Sequence, residues 1–227
     1  MNISQPSLQA SRHQERTSND RDVIRAILKA GMIAHIGFVR DNWPVVLPFH
    51  YGLGDIGDGR GEQMIIHGST GGRAFLDAAA SEEGVPVSVC VSLNDGLVLG
   101  RSTYDIGAHF RSVVAYGYAT PVPDALRDRA VEVLIDQAIP GRRAEVPRGT
   151  DKEFAATALL RIPMDHASAK ISSTRTGDKN DGNDRHVWAG VIPLAVRAGD
   201  PIPSPETLDP DAVPGSVRAF VARINAQ

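Results

Sequence analysis

From Trp43 to Leu53 the chain alternates with a period of two. Trp43, Val45, Leu47, Phe49 and Tyr51 fall on one face, and Pro44, Val46, Pro48 and His50 on the other. An extended strand places successive side chains on opposite faces in this way. Its two prolines lack the N–H that a ladder needs, so the strand is an edge, is bulged, or lies open to a ligand. The alternation returns in Val85–Leu93, where Val85, Val87, Val89 and Val91 interleave with Pro86, Ser88, Cys90 and Ser92. Further strands are expected over Met32–Arg40, Gln63–Gly68, His109–Ala119 and Ala155–Ser172, with a short apolar run at Val187–Leu194. Arg40-Asp41-Asn42 reads as a hairpin turn, and Asn94-Asp95-Gly96 as another, with Leu97–Arg101 returning after it.

Few helices interrupt these strands. Asn19 or Asp20 can cap one that carries Val23, Ile24, Ile27 and Leu28 and stops at Gly31. Gly72–Ala80 reads as a short helix, Pro123–Ile139 as an amphipathic one ended by Pro140-Gly141, and Gly215–Ile224 as a terminal one. Antiparallel-length strands with so few helices predict a mainly β (α+β) fold built as one β-barrel. The expected divisions are a mobile polar arm over 1–20, a barrel domain over 21–203, and a C-terminal extension with a short helix over 204–227. The polar segment Ser173–Arg185 reads as a loop.

Composition narrows the functions. With 24 Lys+Arg against 27 Asp+Glu, the chain has no basic footprint for nucleic acid. A single cysteine excludes an internal disulfide framework and a cysteine-based zinc site. No apolar run approaches the roughly 18 residues of a membrane span, and the first residues lack the apolar core of a secretory signal. A cytoplasmic protein without a membrane partner is expected.

Several motifs have plainer readings. Gly52-Leu53-Gly54-Asp55-Ile56-Gly57 matches G-x-G-x-x-G, but Asp58-Gly59-Arg60-Gly61 cannot open the helix that a dinucleotide site needs, so it reads as a hairpin loop. His67-Gly68-Ser69-Thr70-Gly71-Gly72-Arg73 joins a strand to a helix. Its glycines, hydroxyls, helix-start N–H groups and Arg73 suit a phosphate, and an ordinary capped turn accounts for the same residues equally well. Cys90 has no base beside it in the sequence and reads as a small apolar residue. The histidines form no H-E-x-x-H, and Asp178-Lys179-Asn180-Asp181-Gly182 fails the EF-hand pattern.

Taken in order, these segments resemble the FMN-binding split-barrel family, in its pyridoxamine 5′-phosphate oxidase-related and nitroimidazole-resistance-like branch. The resemblance rests on Pro44–Tyr51, His67–Arg73, His109–Gly117, Pro140-Gly141-Arg142, Ala167–Ser172 and Val187–Leu194. It implies a six-stranded antiparallel split barrel and a homodimer with FMN at the subunit interface. It implies the FMN phosphate at Ser69, Thr70 and Arg73, with His67 at the strand end and Leu47 and Pro48 along the isoalloxazine ring. Arg111 and Lys170 align with polar or basic family positions, and Trp188 is placed near the ring edge. Each of these three has a plain alternative as a surface, interface or packing residue.

The chain departs from true pyridoxamine phosphate oxidases. Pro44-Val45-Val46 stands where they carry a basic residue, and Trp188-Ala189-Gly190-Val191 where they carry an Arg/His segment, which argues against vitamin B6 oxidation. The leading expectation is an FMN-dependent oxidoreductase acting on a small molecule by hydride or two-electron transfer, with NADH or NADPH as candidate reductant. A flavin carrier or sensor without turnover is a second reading. A haem-binding split barrel is a third, with His35, His50 or His109 as axial ligand.

Overall fold

The computed structural model describes residues 5–9, 13–173 and 185–226. Asp178–Gly182 and most of the expected 173–185 loop lie outside them. Nine strands run β1 Thr17–Ser18, β2 Ile33–Arg40, β3 Trp43–Asp55, β4 Glu62–Ser69, β5 Val85–Leu99, β6 Ile106–Pro121, β7 Thr157–Pro163, β8 Ala167–Ser172 and β9 Gly190–Pro193. The helices are α1 Arg21–Ala30, α2 Arg73–Ala79, α3 Arg127–Ala138, α4 Asp151–Ala156 and α5 Gly215–Asn225.

Six strands close a ring in the order β2, β3, β4, β7, β6, β5, and every pairing is antiparallel. The expected six-stranded barrel is therefore present, with β1, β8 and β9 added outside it. The split arises where two strands change partners. β3 pairs with β2 up to His50 and with β4 from Tyr51. β6 offers one edge to β5, while its other edge meets β8 at Phe110–Ala115 and β7 only at Thr120–Pro121. Up to His50, β3 is paired on one side alone, which is where its prolines are tolerated.

Local signals explain most element ends. The Asp20 carboxylate accepts from the N–H groups of Asp22 and Val23 and starts α1. Asp41 and Asn42 both take positive φ, as a tight hairpin between β2 and β3 requires. Thr150 and Glu153 form a reciprocal capping box at the start of α4.

Three expectations are corrected. Asn94-Asp95-Gly96 is not a turn: β5 continues to Leu99 along β6, and the register shift at this point is a bulge. Its carboxylate is held by Arg111 across the ladder, at 2.7 and 2.8 Å. Ala155–Ser172 is not one strand but the end of α4 followed by β7 and β8, which pair with different neighbours. Thr17 and Ser18, placed in the mobile arm, pair with Lys170 and Ala169.

The barrel interior is filled by Ala34, Ile36, Met64, Ile66, Val89, Val91, Val113, Leu160 and Ile162, all essentially inaccessible, with Ile24, Ile27 and Leu28 of α1 joined to the same core. A second cluster lies outside the ring. There Ile65 and Leu159 pack with Ala130 and Val133 of α3, so β4 is buried on both faces.

Candidate functional site

The helix α3 lies against the outer face of β3 and β4, and two glycines let it approach. A Cβ on Gly52 would sit 2.5 Å from the Val133 carbonyl oxygen, and one on Gly54 would sit 3.0 Å from the Val133 methyl carbons. The first two glycines of the G-x-G-x-x-G pattern are therefore strand residues cleared for helix packing, not loop residues. Gly57, Gly59 and Gly61, with φ of 85°, 77° and 76°, make the turn.

Beyond this close contact α3 no longer fills the space above the sheet. The result is a cavity of about 680 Å³. That volume lies within the roughly 300–1,000 Å³ of small-molecule and cofactor sites. Val131, Leu134 and Ile135 of α3, Phe154, Leu159 and Phe220 of α5 make its walls predominantly apolar. His50 and His67 also line it. The β3–β4 ladder ends at Tyr51–Ile66, and His50 and His67 are the next residue along each strand beyond it. Both imidazoles belong to the sheet wall of the cavity, and neither has a hydrogen-bond partner among the described residues.

One corner of the cavity is polar and structural. Tyr51 donates from its hydroxyl to the Leu28 carbonyl at 2.5 Å, and burial pushes its phenol pKa up. The Gln137 amide nitrogen donates to the carbonyls of Leu28, Lys29 and Gly31, each at 3.2 Å, satisfying the open end of α1. These groups lock α3 to α1 and hold the cavity's shape.

The strand-to-helix segment His67–Arg73 is more self-contained than its sequence suggests. The Thr70 amide donates to the Ala156 carbonyl, the Gly72 amide to the Ser69 carbonyl, and the Gly71 amide to the Ser69 hydroxyl. The amides of Arg73 and Ala74 make no backbone hydrogen bond and remain available at the start of α2. Arg73 is exposed and paired with Asp77 at 2.9 Å. Phe75 packs against Gly68, where a Cβ would meet the ring at 2.3 Å. Ser69, Thr70 and Arg73 thus form one exposed loop, while His67 turns into the cavity.

The remaining expected residues are spread apart. Leu47 and Pro48 lie on the exposed half of β3. Pro48, His35, Cys90, Val114 and Ser168 form one row across β3, β2, β5, β6 and β8. Lys170 is two residues beyond Ser168 on the same face. Four strand-to-strand steps around the curved sheet separate it from Pro48. Arg111 is held bidentately by Asp95, a hydrogen bond that raises its pKa. The Trp188 ring is largely exposed and packs over Gly190. Of the three histidines considered as axial ligands, only His50 reaches the cavity. His35 faces outward opposite Cys90, whose thiol pKa burial pushes up, and His109 pairs with Gly96 at the bulge.

His67 has its place in the cavity from strand pairing, and the sequence contains the needed signal. Counting outward from the Gly57–Gly61 turn brings His50 and His67 next after the last pair of the ladder, Tyr51–Ile66.

A family model described as pyridoxamine 5′-phosphate oxidase matches residues 20–171. Among solved structures, the FAD and haem binding protein of Mycobacterium smegmatis is 32% identical, with TM-score 0.82, over 91% of this chain and 97% of that one. The flavocytochrome Anf3 of Azotobacter vinelandii is 29% identical, with TM-score 0.81, over 92% and 94% of the two chains. A structure solved as a candidate 5-nitroimidazole antibiotic resistance protein of Bacteroides thetaiotaomicron is 14% identical, with TM-score 0.51, over 68% and 86%, and shares the fold alone. No curated protein matches the sequence significantly. No helix among the described residues is long and apolar enough to cross a membrane.

Proposed function

The chain belongs to the pyridoxamine 5′-phosphate oxidase family, and we propose that within it this protein is a redox protein binding both a haem and a flavin nucleotide. The observation that carries the haem is the apolar cavity with two unpartnered imidazoles on one wall. Two histidines alone are too few for a free transition metal, which takes three or four protein ligands. Among the described residues no cluster of three or more His, Cys, Asp or Glu side chains could hold an ion. A haem brings four ring nitrogens of its own and asks the protein for an apolar slot and one axial imidazole. His50 and His67 fit that demand, and the relatives named for haem and for a flavocytochrome match this chain over more than nine-tenths of its length.

In this reading His50 or His67 would hold the iron, since both line the same cavity. Haem and flavin, when bound, supply one- and two-electron chemistry. The protein's own Leu134, Phe154 and Phe220 shape the apolar wall of the slot.

The flavin is assigned to the exposed loop and the outer sheet face. Ser69, Thr70, Arg73 and the two free amides of α2 offer donors for a phosphate. FMN is the nucleotide implied by the sequence resemblance, whereas the M. smegmatis relative is named for FAD. Both nucleotides share the ring and first phosphate, and the mass of the flavin released on denaturation separates them. Pro48 and Lys170 lie four strand-to-strand steps apart around the barrel, and a ring bound between two copies would let both approach it. The proposal therefore includes a homodimer. Its substrate class is a small oxidisable or reducible molecule, with a nicotinamide nucleotide as electron donor. Purified protein titrated with haemin and with FMN or FAD tests the reading. A sharpened Soret band that the His50→Ala/His67→Ala double variant abolishes supports it; a Soret band unchanged by the double variant refutes it.

A further inference from the structure

Arg127, the first residue of α3, stands at the rim between the cavity and a smaller recess of about 390 Å³ lined by Thr70, Phe75 and Asp124. Its side chain is half-buried, yet it has no carboxylate partner. By contrast, the neighbouring Arg148 is paired with Asp128 and Asp151, and Arg142 with Glu145. Both hydrogen bonds of Arg127 come from one nitrogen, Nη2, to the carbonyls of Phe154 at 2.6 Å and Thr157 at 2.5 Å. A guanidinium carries five N–H donors, so those on Nε and Nη1 are unspent. The carboxylates nearest in the two walls do not serve it. Glu153 is committed to Thr150 in the capping box, and Asp124 makes no ion pair with Arg127.

Capping the end of α4 accounts for Nη2 and for nothing else on the side chain. The donors on Nε and Nη1 are not among the buried unsatisfied atoms and stand open at the rim, where an anion in the apolar chamber can reach them. The fork of donors matches a carboxylate in two-point contact. Thr157, which anchors Arg127, lies on β7 two residues from Leu159, the direct partner of His67. That places the guanidinium about 7 Å along the strand from the imidazole wall.

Resting on the haem reading above, the geometry points to Arg127 as the anchor for a propionate carboxylate of the haem, fixing which edge of the ring faces the rim. The cavity without this cation would favour an uncharged porphyrin, since its walls are apolar. With it, the free acid is preferred.

The test compares haemin with its dimethyl ester, titrated into the full-length protein and followed by Soret absorbance. The wild type binds haemin at least ten-fold more tightly than the ester. Arg127→Gln, which keeps an amide donor for the Phe154 and Thr157 carbonyls, weakens haemin binding, leaves the ester unchanged and reduces the preference below about three-fold. The wild-type comparison needs no variant and stands even if Arg127→Gln fails to fold. Equal wild-type binding of the two ligands overturns the anchor while leaving the haem reading intact. So does a preference that survives in folded Arg127→Gln. Binding of neither by the wild type overturns the haem reading and the anchor with it.

Discussion

Replacing Gly52 with alanine tests whether the α3–β3 contact sets the cavity. The new Cβ would lie 2.5 Å from the Val133 carbonyl oxygen and 2.7 Å from both the Val133 carbonyl carbon and the Leu134 nitrogen, against an ordinary contact beginning at 3.4 Å. All three atoms are helix backbone and cannot rotate aside, so α3 must retreat by about 0.9 Å. Overpacking of this kind costs about 1–3 kcal/mol. The less flexible unfolded chain returns about 0.4–1 kcal/mol. The net loss is about 1–2 kcal/mol, or about 2–8 °C in Tm for a chain of this size. Gly54→Ala is the internal control. Its Cβ would meet only the Val133 methyl carbons at 3.0 Å, and a side chain can yield. Its expected change is under about 1 kcal/mol. Urea unfolding of both variants, with unchanged slope, measures the difference. A Gly52→Ala protein as stable as Gly54→Ala would refute the claim that helix backbone rests on that glycine.

Asp58→Ala should cost about 3–5 kcal/mol, because Asp58 and Arg161 are 8% and 12% exposed and the variant strands a buried guanidinium; thermal unfolding checks this. Burial opposes ionisation of Asp58, but hydrogen bonds from Gln63 and the Arg60 amide, with the Arg161 and Arg60 charges, outweigh it and hold its carboxyl below the usual range. A depressed folded pKa stabilises above the ordinary aspartate range near pH 4 and is lost as pH falls through the folded value, so the gap between wild type and Asp58→Ala should narrow from pH 7 to pH 3. The Glu145 carboxylate accepts from the Ser216 hydroxyl and amide, which hold its pKa low and tie down the start of α5. Glu145→Ala should therefore speed limited proteolysis around α5, and wild type should show the same acceleration as Glu145 protonates; equal cleavage rates at neutral pH would contradict this. Gly68→Ala should displace Phe75 and weaken flavin binding at the loop, measured by flavin fluorescence quenching, while leaving haemin affinity unchanged.

The barrel strands are legible in sequence because period-two alternation is a local property of extended backbone. Val85–Val91 and Trp43–Tyr51 announce themselves without any partner. The bulge at Asp95 is not legible, since Asn-Asp-Gly has the chemistry of a turn. Pairing with the long β6 on one side and β9 on the other, with the Arg111–Asp95 contact, keeps it extended. Gly52 and Gly54 mislead for a similar reason. Their lack of a side chain suits a loop or a close approach equally, and the crossing of α3 decides which. The site divides along the same line. Ser69, Thr70 and Arg73 are neighbours in sequence and stay neighbours in space. The cavity is made by a helix more than fifty residues downstream of β4, so His67 reads locally as part of the phosphate loop when its side chain serves another wall.

The central claim is that the cavity beneath α3 takes a haem on His50 or His67. The absorption spectrum of purified protein reconstituted with haemin tests it most directly, with the two single histidine variants beside the wild type. The account predicts a sharp Soret band in the wild type that is lost in one single variant and kept in the other. A wild-type spectrum identical to free haemin, or a bound spectrum indifferent to both histidines, would contradict it.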